Sequence, residues 1–351
     1  MIPTLATLDL STLAAFDDII DVRSPGEYAL DHLPGAVNLP VLSDAERAEV
    51  GTIYVQDSRF RARRIGAALV ARNIAAHLEG PLRDKPGSWV PLVYCWRGGQ
   101  RSGAMATILA QVGWRPTLVE GGYRTWRRHV TAGLYDCQAS PLRLVLLDGY
   151  TGSAKTEILQ RVGDLGAQIL DLEGLAGHRG SLFGALPDQP QPSQKLFETR
   201  LLQALDGLDP ARPVLVEAES SKIGQRMVPP VLWQAMLAAP RIDILVPPAA
   251  RAAYLVRAYG DIVADPQRLR DVLAALPGRH GRKRLSEWLE LAAAGAFVAL
   301  AEDLMATHYD PAYAQGRAEH ATLGNVTLGS LHDGDLALAA ETVAGILRGL
   351  F

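Results

Sequence analysis

Residues 142–156 read LRLVLLDGYTGSAKT, and this run decides the fold predicted for the second half of the chain. Leucine and valine dominate the stretch from Leu142 to Leu147, which predicts a short buried β-strand. A glycine-rich turn follows, and from Thr156 onward the apolar residues recur at helical spacing. A strand, a tight turn and a helix in this order are typical of an α/β domain with a parallel sheet.

The turn fits the phosphate-loop template GxxxxGK[ST], except that Ala154 replaces the second glycine. Its backbone N–H groups would hold a diphosphate, Lys155 would neutralise the charge, and Thr156 would bind Mg²⁺ if a metal takes part. A chance match is the alternative. Ala154 should crowd a position that needs positive φ, which weakens an assignment as an ordinary ATPase. The predicted phosphate contacts are Gly149, Thr151, Gly152, Ser153, Lys155 and Thr156.

Further polar residues follow other predicted strands of this domain, at the edge where α/β proteins bind ligands. The strands are predicted at Gln168 to Leu172, Val214 to Ala218 and Ile242 to Val246. Glu217 and Glu219, at the end of the strand from Val214, lie where a P-loop protein places an acidic group for Mg²⁺ or water. This role stays open. For the residues after the first of these strands, the alternative is a capped loop in which the histidine has a structural role. The candidate substrate or metal contacts are Asp171, His178, Arg179, Glu217 and Glu219.

A second strand, turn and helix lie earlier in the chain, with a cysteine in the turn. Pro91 to Tyr94 predicts the strand, CWRGGQR the turn, and Ser102 to Val112 the helix. Loop amides and the helix dipole stabilise negative charge at such a position, so we predict a thiolate at Cys95. We assign catalysis to Cys95, Arg97 and Arg101. An inert buried cysteine and a Cys-x5-Arg phosphatase loop are the alternatives.

Length and composition predict two globular domains. The chain has 351 residues, of which 48% are hydrophobic, and a formal net charge of −3. No global positive field is therefore available for a polyanion, and nucleic-acid binding requires local patches. The two cysteines are too few for a disulfide framework, which favours a reducing, cytoplasmic setting. We predict one domain over residues 1–135 and another over 136–351, the latter mostly helical from about Pro266.

The first domain resembles a rhodanese. The run IIDVRSPGEYALDHLPGAVNLP from Ile19 to Pro40 is similar to the first half of such a domain, and LVEGGYRTW from Leu118 to Trp126 resembles the segment after its active loop. Rhodaneses carry sulfur or selenium on the loop cysteine. The loop here is one residue longer than in a typical sulfurtransferase, and the spacing alone does not name its ligand.

Several further runs make the whole chain similar to the tRNA 2-selenouridine synthase family. They are GTIYVQDSRFRARRIGAALV (51–70), YCWRGGQRS (94–102), EGGYR (120–124), GYTGSAKT (149–156), DLEGLAGHRGSLFG (171–184), EAESSKIG (217–224) and HYDPAY (308–313). The resemblance implies an α/β protein with an N-terminal rhodanese-like domain, a C-terminal P-loop NTPase-like parallel-sheet domain and a helical C-terminal region.

The same resemblance implies the chemistry. Geranyl diphosphate alkylates the sulfur of a wobble 2-thiouridine, and selenophosphate then replaces the geranylthio group with selenium. The enzyme would be a selenotransferase with geranyltransferase activity, acting on tRNA in the cytoplasm without a membrane. A selenophosphate-producing enzyme is a further candidate partner. No cofactor is firmly predicted, no metal is certain, and Mg²⁺ stays possible. Whether Cys95 forms a covalent selenium intermediate or acts by acid–base chemistry stays open.

Arginine-rich stretches are the candidate tRNA contacts, although a solvated charged face is an equally good explanation of each stretch alone. If they contact phosphates, binding should weaken steeply with salt. The candidate residues are Arg61, Arg63, Arg64, Arg127, Arg128, Arg282, Lys283 and Arg284.

Two other functions stay open at this point. A phosphate-ester hydrolase fused to a small-molecule kinase would explain the Cys-x5-Arg spacing and the phosphate loop. A non-catalytic regulator would combine a sulfur-sensing rhodanese module with a nucleotide switch. Ala154 and the lack of an aspartate at the end of the strand from Val214 argue against both.

Overall fold

The computed structural model describes residues 2–136, 142–181, 183–186, 190–276, 280–316 and 321–350. The chain divides into two compact units, Met1–Cys137 with Pro192–Asp206, and Gln138–Gln191 with Gly207–Phe351. The predicted division between residues 135 and 136 differs from this grouping, because a segment that follows the phosphate loop in sequence belongs to the first unit.

The first unit is a parallel α/β structure. Its elements before the phosphate loop are β1 (Thr4–Leu5), α1 (Leu10–Leu13), β2 (Asp18–Asp21), α2 (Pro25–Leu30), β3 (Ala36–Asn38), α3 (Asp44–Gln56), α4 (Arg59–Glu79), β4 (Pro91–Tyr94), α5 (Gln100–Val112), β5 (Thr117–Val119) and α6 (Tyr123–Thr131). The strands run in the order β1-β5-β4-β2-β3, and all the pairs are parallel. Strand β4 is buried along its whole length, because sheet neighbours flank it on both sides.

The remaining elements continue in chain order. They are β6 (Arg143–Asp148), α7 (Lys155–Asp164), β7 (Gln168–Leu170), α8 (Leu172–Ala176), α9 (Gln194–Asp206), β8 (Pro213–Glu217), β9 (Lys222–Ile223), β10 (Arg226–Met227), α10 (Pro230–Ala238), β11 (Arg241–Leu245), α11 (Pro248–Ala258), α12 (Gly260–Val263), α13 (Pro266–Ala274), α14 (Gly281–Ala293), α15 (Phe297–Leu304), α16 (Asp310–Gly316), β12 (Thr322–Thr327) and α17 (Asp333–Arg348). The second unit's main sheet has the order β12-β11-β6-β8-β7, with every pair parallel.

The predicted α/β architecture is confirmed in both units, with strand bounds that differ by one or two residues. Helix α7 buries Ile158, Leu159 and Val162 completely, as the helical spacing predicts. The C-terminal region is mostly helical, but the prediction missed β12, which pairs with β11 at the edge of the sheet. Its sequence TLGNVT contains a glycine and an asparagine and lacks an apolar run, so it carries little strand signal.

Helix α9 is the segment that joins the first unit from outside its sequence range. Phe197 and Leu201 are completely buried. Its Thr199 hydroxyl accepts a hydrogen bond from the Trp126 indole at 3.3 Å, and its Glu198 pairs with Arg127. These pairs lie about seventy positions apart in sequence, so local patterns do not predict them.

No helix within the described ranges is both long enough and apolar enough to cross a lipid bilayer.

Candidate functional site

The phosphate loop joins β6 to α7 by a backbone that turns through left-handed conformations. Gly152 has φ of +85°, and a Cβ there would lie 2.9 Å from Leu255 Cγ and 3.1 Å from the Arg251 carbonyl oxygen. Gly149 has φ of +159°, and a Cβ there would lie 2.6 Å from Ser153 Oγ. Both positions therefore require glycine.

Ala154 occupies the position where the sequence predicts crowding. Of the non-glycine residues that the structure describes, it alone has positive φ, at +59° with ψ of +31°. Its methyl group is nevertheless accommodated, because Ala154 is 4% exposed and packs in the core beside Ile158. The loop thus keeps a left-handed residue directly before the helix without a glycine there, at a conformational cost of about 1–2 kcal/mol.

This conformation gives a stability prediction. Ala154→Gly removes the left-handed strain of about 1–2 kcal/mol but loses a buried methyl group and makes the unfolded chain more flexible, each about 0.5–1 kcal/mol. We expect the free energy of unfolding to change by less than about 0.5 kcal/mol as these effects offset. Ala339→Gly, in the same core but inside α17, should lose about 1.5–2 kcal/mol. Urea titration compares the two, and equal losses would contradict the strain assignment.

Lys155 closes the loop from its helix end. Its ammonium group donates a hydrogen bond to the Gly149 carbonyl at 2.8 Å and lies 5.9 Å from the centre of the Tyr313 ring. The Tyr313 hydroxyl donates to Asp148, whose carboxylate also accepts from the Gly149 N–H at 2.7 Å. The cation is therefore held over the turn, where a bound diphosphate would displace the carbonyl as its partner.

Three carboxyl groups, those of Glu173, Glu217 and Glu219, lie close enough to Lys155 to interact with its charge. The Thr156 hydroxyl donates to Glu173 at 3.1 Å, and Glu217 is completely buried at the end of β8. Burial, together with the charges of Glu217 and Glu219, raises the pKa of Glu173 to about 10. Burial, with the charge of Glu219, raises the pKa of Glu217 to about 8, and burial raises the pKa of Glu219 as well. Burial thus disfavours the charged form of these carboxyl groups, which weakens their repulsion of an anion.

Within the described part of the chain, no group of three or more His, Cys, Asp or Glu residues could hold a metal ion. Thr156, the predicted Mg²⁺ contact, donates its hydroxyl proton to Glu173. Binding of Mg²⁺ at the loop stays a prediction, and no step below depends on a metal ion.

The other predicted contacts of this unit have structural partners. Asp171 caps α8 by accepting from the Gly174 N–H at 2.7 Å. Arg179 lines the phosphate-loop pocket, but its guanidinium makes two hydrogen bonds to Asp261, at 2.9 and 2.8 Å. His178 lies beside Arg179, and burial together with this charge lowers its pKa. Asp171 thus acts as a helix cap, and an anion would have to compete with Asp261 for Arg179.

The second site is the cysteine loop between β4 and α5 of the first unit. Cys95 is 3% exposed, and its sulfur accepts hydrogen bonds from the Gly99 N–H at 3.3 Å and the Ser102 hydroxyl at 3.2 Å. Burial raises the pKa of the thiol, but hydrogen bonds from Ser102, Gly99 and the Arg97 N–H outweigh it. The pKa therefore lies below its ordinary value. The hydrogen bonds of the loop thus favour the thiolate more than in an ordinary buried cysteine, and the catalytic role of Cys95 stays a prediction.

Two glycines let the neighbouring loop pack against this turn. A Cβ on Gly122, at φ of +63°, would lie 2.3 Å from the Cys95 carbonyl oxygen and 2.5 Å from the Gly98 nitrogen. A Cβ on Gly98, at φ of +67°, would lie 2.7 Å from the Val119 carbonyl oxygen. The EGGYR segment therefore supports the cysteine loop by direct backbone contact, and neither glycine tolerates a side chain.

The two predicted arginines of the loop differ. Arg97 is exposed. Arg101 is half-buried and pairs with Glu27, its Nη1 lying 2.8 Å from Oε2. Sequence reasoning did not identify Glu27 as the partner of Arg101, or Ser102 as a donor to the sulfur. The serine carried a signal, since it directly follows the CWRGGQR turn, but the glutamate lies 74 positions away from its partner.

The candidate tRNA contacts divide into exposed and paired side chains. Arg127 pairs with Glu198 and lies 3.9 Å from Asp31, and Arg284 pairs with both Glu287 and Asp303. Arg61 is exposed but pairs with Asp57. The exposed remainder consists of Arg63, Arg64, Arg128, Arg282 and Lys283.

The fold and the two loops define a protein with a thiol-bearing rhodanese-like unit and a P-loop unit. The family model for the rhodanese-like domain matches residues 8–129, and the model for the tRNA 2-selenouridine synthase AAA domain matches residues 142–293. The chain belongs to the tRNA 2-selenouridine synthase family, which is a family of enzymes.

Three relatives illustrate the match, each named tRNA 2-selenouridine synthase. The protein of Cupriavidus necator is 35% identical over 89% of this chain and 90% of its own length. The protein of Cupriavidus pinatubonensis is 35% identical over 84% of this chain and 87% of its own. The protein of Chromohalobacter salexigens is 39% identical over 69% of this chain and 65% of its own, so this match spans less than two thirds of that relative.

Proposed function

We propose that the protein converts 2-thiouridine at the wobble position of tRNA into 2-selenouridine through an S-geranylated intermediate. The co-substrates are geranyl diphosphate and selenophosphate, and a selenophosphate-producing enzyme supplies the second. The observation that most supports this proposal is that both strand-end loops are already folded as polar cradles. In one of them hydrogen bonds lower the pKa of Cys95, and in the other Lys155 donates to the Gly149 carbonyl across the glycine-rich turn. The reducing cytoplasm suits the free thiol of Cys95.

The first step takes place at the phosphate loop. The uridine sulfur attacks the first carbon of geranyl diphosphate, the C–O bond breaks, and diphosphate leaves. Lys155 and the amides of the loop stabilise the growing negative charge on the leaving group. Glu173 lines the phosphate-loop pocket, and burial with the neighbouring carboxylates raises its pKa, so it repels the leaving group less than an ordinary glutamate would. The S-alkyl product carries a thiol leaving group, which the parent thiocarbonyl lacks.

The second step uses the cysteine loop. Selenium of selenophosphate attacks C2, the C2–S bond breaks, geranylthiol leaves, and water takes the phosphoryl group to release phosphate. The Cys95 thiolate accepts the proton of the attacking selenium and returns it to the departing sulfur. A perselenide on Cys95 would require the removal of two electrons from the thiol and selenium, and no oxidant is among the reactants. A step in which Cys95 only accepts and returns a proton, in contrast, is balanced without a further reagent.

The proposed reaction is tested by nucleoside mass spectrometry. Transfer RNA carrying 2-thiouridine is incubated with the protein, geranyl diphosphate and selenophosphate. We expect S-geranyl-2-thiouridine with geranyl diphosphate alone and 2-selenouridine when both co-substrates are present. Transfer RNA without the thiolated base is the control and should stay unmodified. Absence of both products, or turnover of phosphoesters and ATP that does not depend on tRNA, would refute the proposal.

A further inference from the structure

An apolar pocket lies beside the phosphate loop in the second unit. Helices α11, α12, α13 and α15 contribute most of its wall, and nearly all of its surface is hydrocarbon. Several of these side chains belong to the buried helical cluster around Trp288. The lining residues that matter below are Phe183, Ile262, Leu269, Phe297, Leu300 and Leu304.

This pocket and the phosphate-loop pocket share part of their walls. Thr151 of the loop and Leu255 of α11 line both, as do Ser181 and Tyr259. Leu255 is also the side chain against which Gly152 packs, since a Cβ on that glycine would lie 2.9 Å from Leu255 Cγ. A ligand with its charged end in the loop therefore has an apolar wall within reach of the same turn.

Together, the two pockets have the polarity that suits one amphiphilic ligand. The loop takes an anion through backbone amides and Lys155, whereas the adjoining pocket suits a hydrocarbon. The hydroxyl groups at the shared wall bond to each other, Ser181 Oγ lying 2.9 Å from Tyr259 Oη. A nucleotide base would bring polar edges that the leucine and phenylalanine side chains of the far wall do not match.

We infer that the apolar pocket holds the hydrocarbon tail of the prenyl diphosphate and that its far wall sets the accepted tail length. This inference rests on the proposed prenyl transfer. Leu269 of α13, with Leu300 and Leu304 of α15, lines the apolar pocket but not the phosphate-loop pocket. They are 5%, 4% and 7% exposed, so a longer tail would have to displace packed side chains. These three leucines are therefore the specificity-determining residues.

Two variants with a matched control test the inference. Leu300→Trp fills the far end of the pocket, whereas Leu269→Ala enlarges it. Leu273→Ala is the control, because Leu273 lies on the same helix and in the same cluster but does not line the pocket. All the variants are used as full-length protein, and binding of inorganic diphosphate reports that the phosphate loop is folded.

Calorimetric titration with inorganic, dimethylallyl, geranyl and farnesyl diphosphate measures the contribution of the tail. We expect the unaltered protein to bind geranyl diphosphate at least about tenfold more tightly than inorganic diphosphate. Leu300→Trp should weaken geranyl diphosphate by about tenfold or more while dimethylallyl diphosphate changes little. Leu269→Ala should improve farnesyl diphosphate relative to geranyl diphosphate, and Leu273→Ala should keep the original order.

The outcomes separate this inference from the proposed function. If geranyl diphosphate binds no more tightly than inorganic diphosphate, or if both pocket variants keep the original order of tail lengths, the inference is wrong. If the tail preference shifts as expected but no prenylated nucleoside forms with any tRNA, the pocket assignment stands and the transfer reaction fails. Should Leu300→Trp not bind inorganic diphosphate, Leu269→Ala decides alone.

Discussion

Lys155→Ala is expected to lower the rate of RNA geranylation by about 10³-fold. Diphosphate leaves with growing negative charge, and one preorganised donor at such a position is worth about 10²- to 10³-fold in rate. Lys155 is half-buried and already held over the loop by the Gly149 carbonyl, so we expect its effect on the rate at the upper end of this range. Single-turnover assays with excess enzyme and saturating geranyl diphosphate measure the step directly.

Two controls isolate the role of Lys155. Lys222→Ala removes an exposed lysine of the same unit and should leave geranylation within about twofold, as surface charge changes usually do. RNA that already carries the S-geranyl group bypasses the first step, and Lys155→Ala should convert it to the selenonucleoside at a normal rate. An unchanged rate of geranylation in Lys155→Ala would show that the phosphate loop takes no part in this step.

The elements predicted correctly from the sequence are those that residues close together along the chain determine. The strand ending at Asp148, the turn and the inward face of α7 follow from consecutive residues, and the structure places them within two positions of the prediction. The hydrogen bonds to the Cys95 sulfur belong to the same class, because the donors Gly99 and Ser102 lie within seven residues of it. Spacing along the chain determines such contacts.

The features that the sequence did not predict depend on distant pairs. The Arg101–Glu27 ion pair spans 74 positions, and the placement of α9 depends on contacts such as Trp126 with Thr199. Ala154 is an instructive case, because the sequence predicts a conflict at this position correctly but not its outcome. Packing of the methyl group in the core offsets part of the left-handed strain, and only the folded structure contains that packing.

Cys95→Ser is expected to slow conversion of S-geranyl RNA to the selenonucleoside by about 10²-fold or more, since a positioned acid–base group contributes about 10²- to 10⁴-fold. The serine hydroxyl keeps the size of the side chain but does not ionise near neutral pH. Geranylation should stay within about twofold, because the phosphate loop is intact. Replacing Cys137, the other cysteine of the chain, with serine is the matched control and should leave both steps unchanged. Normal selenation by Cys95→Ser would exclude the thiol from the reaction.

Ser102→Ala shows whether the ionised form of Cys95 is the working form. The Ser102 hydroxyl donates to the sulfur at 3.2 Å and helps hold the pKa of Cys95 below its ordinary value. Without this donor the pKa rises, so the fraction of thiolate falls at every pH below the new value. The acidic limb of the pH profile for selenation should therefore move to higher pH, while the alkaline plateau stays close to that of the unaltered protein. A uniform loss at all pH values would instead indicate that Ser102 only supports the fold of the loop. Activity that falls at alkaline pH, with this alkaline limb moved to higher pH in Ser102→Ala, would show that the neutral thiol does the work.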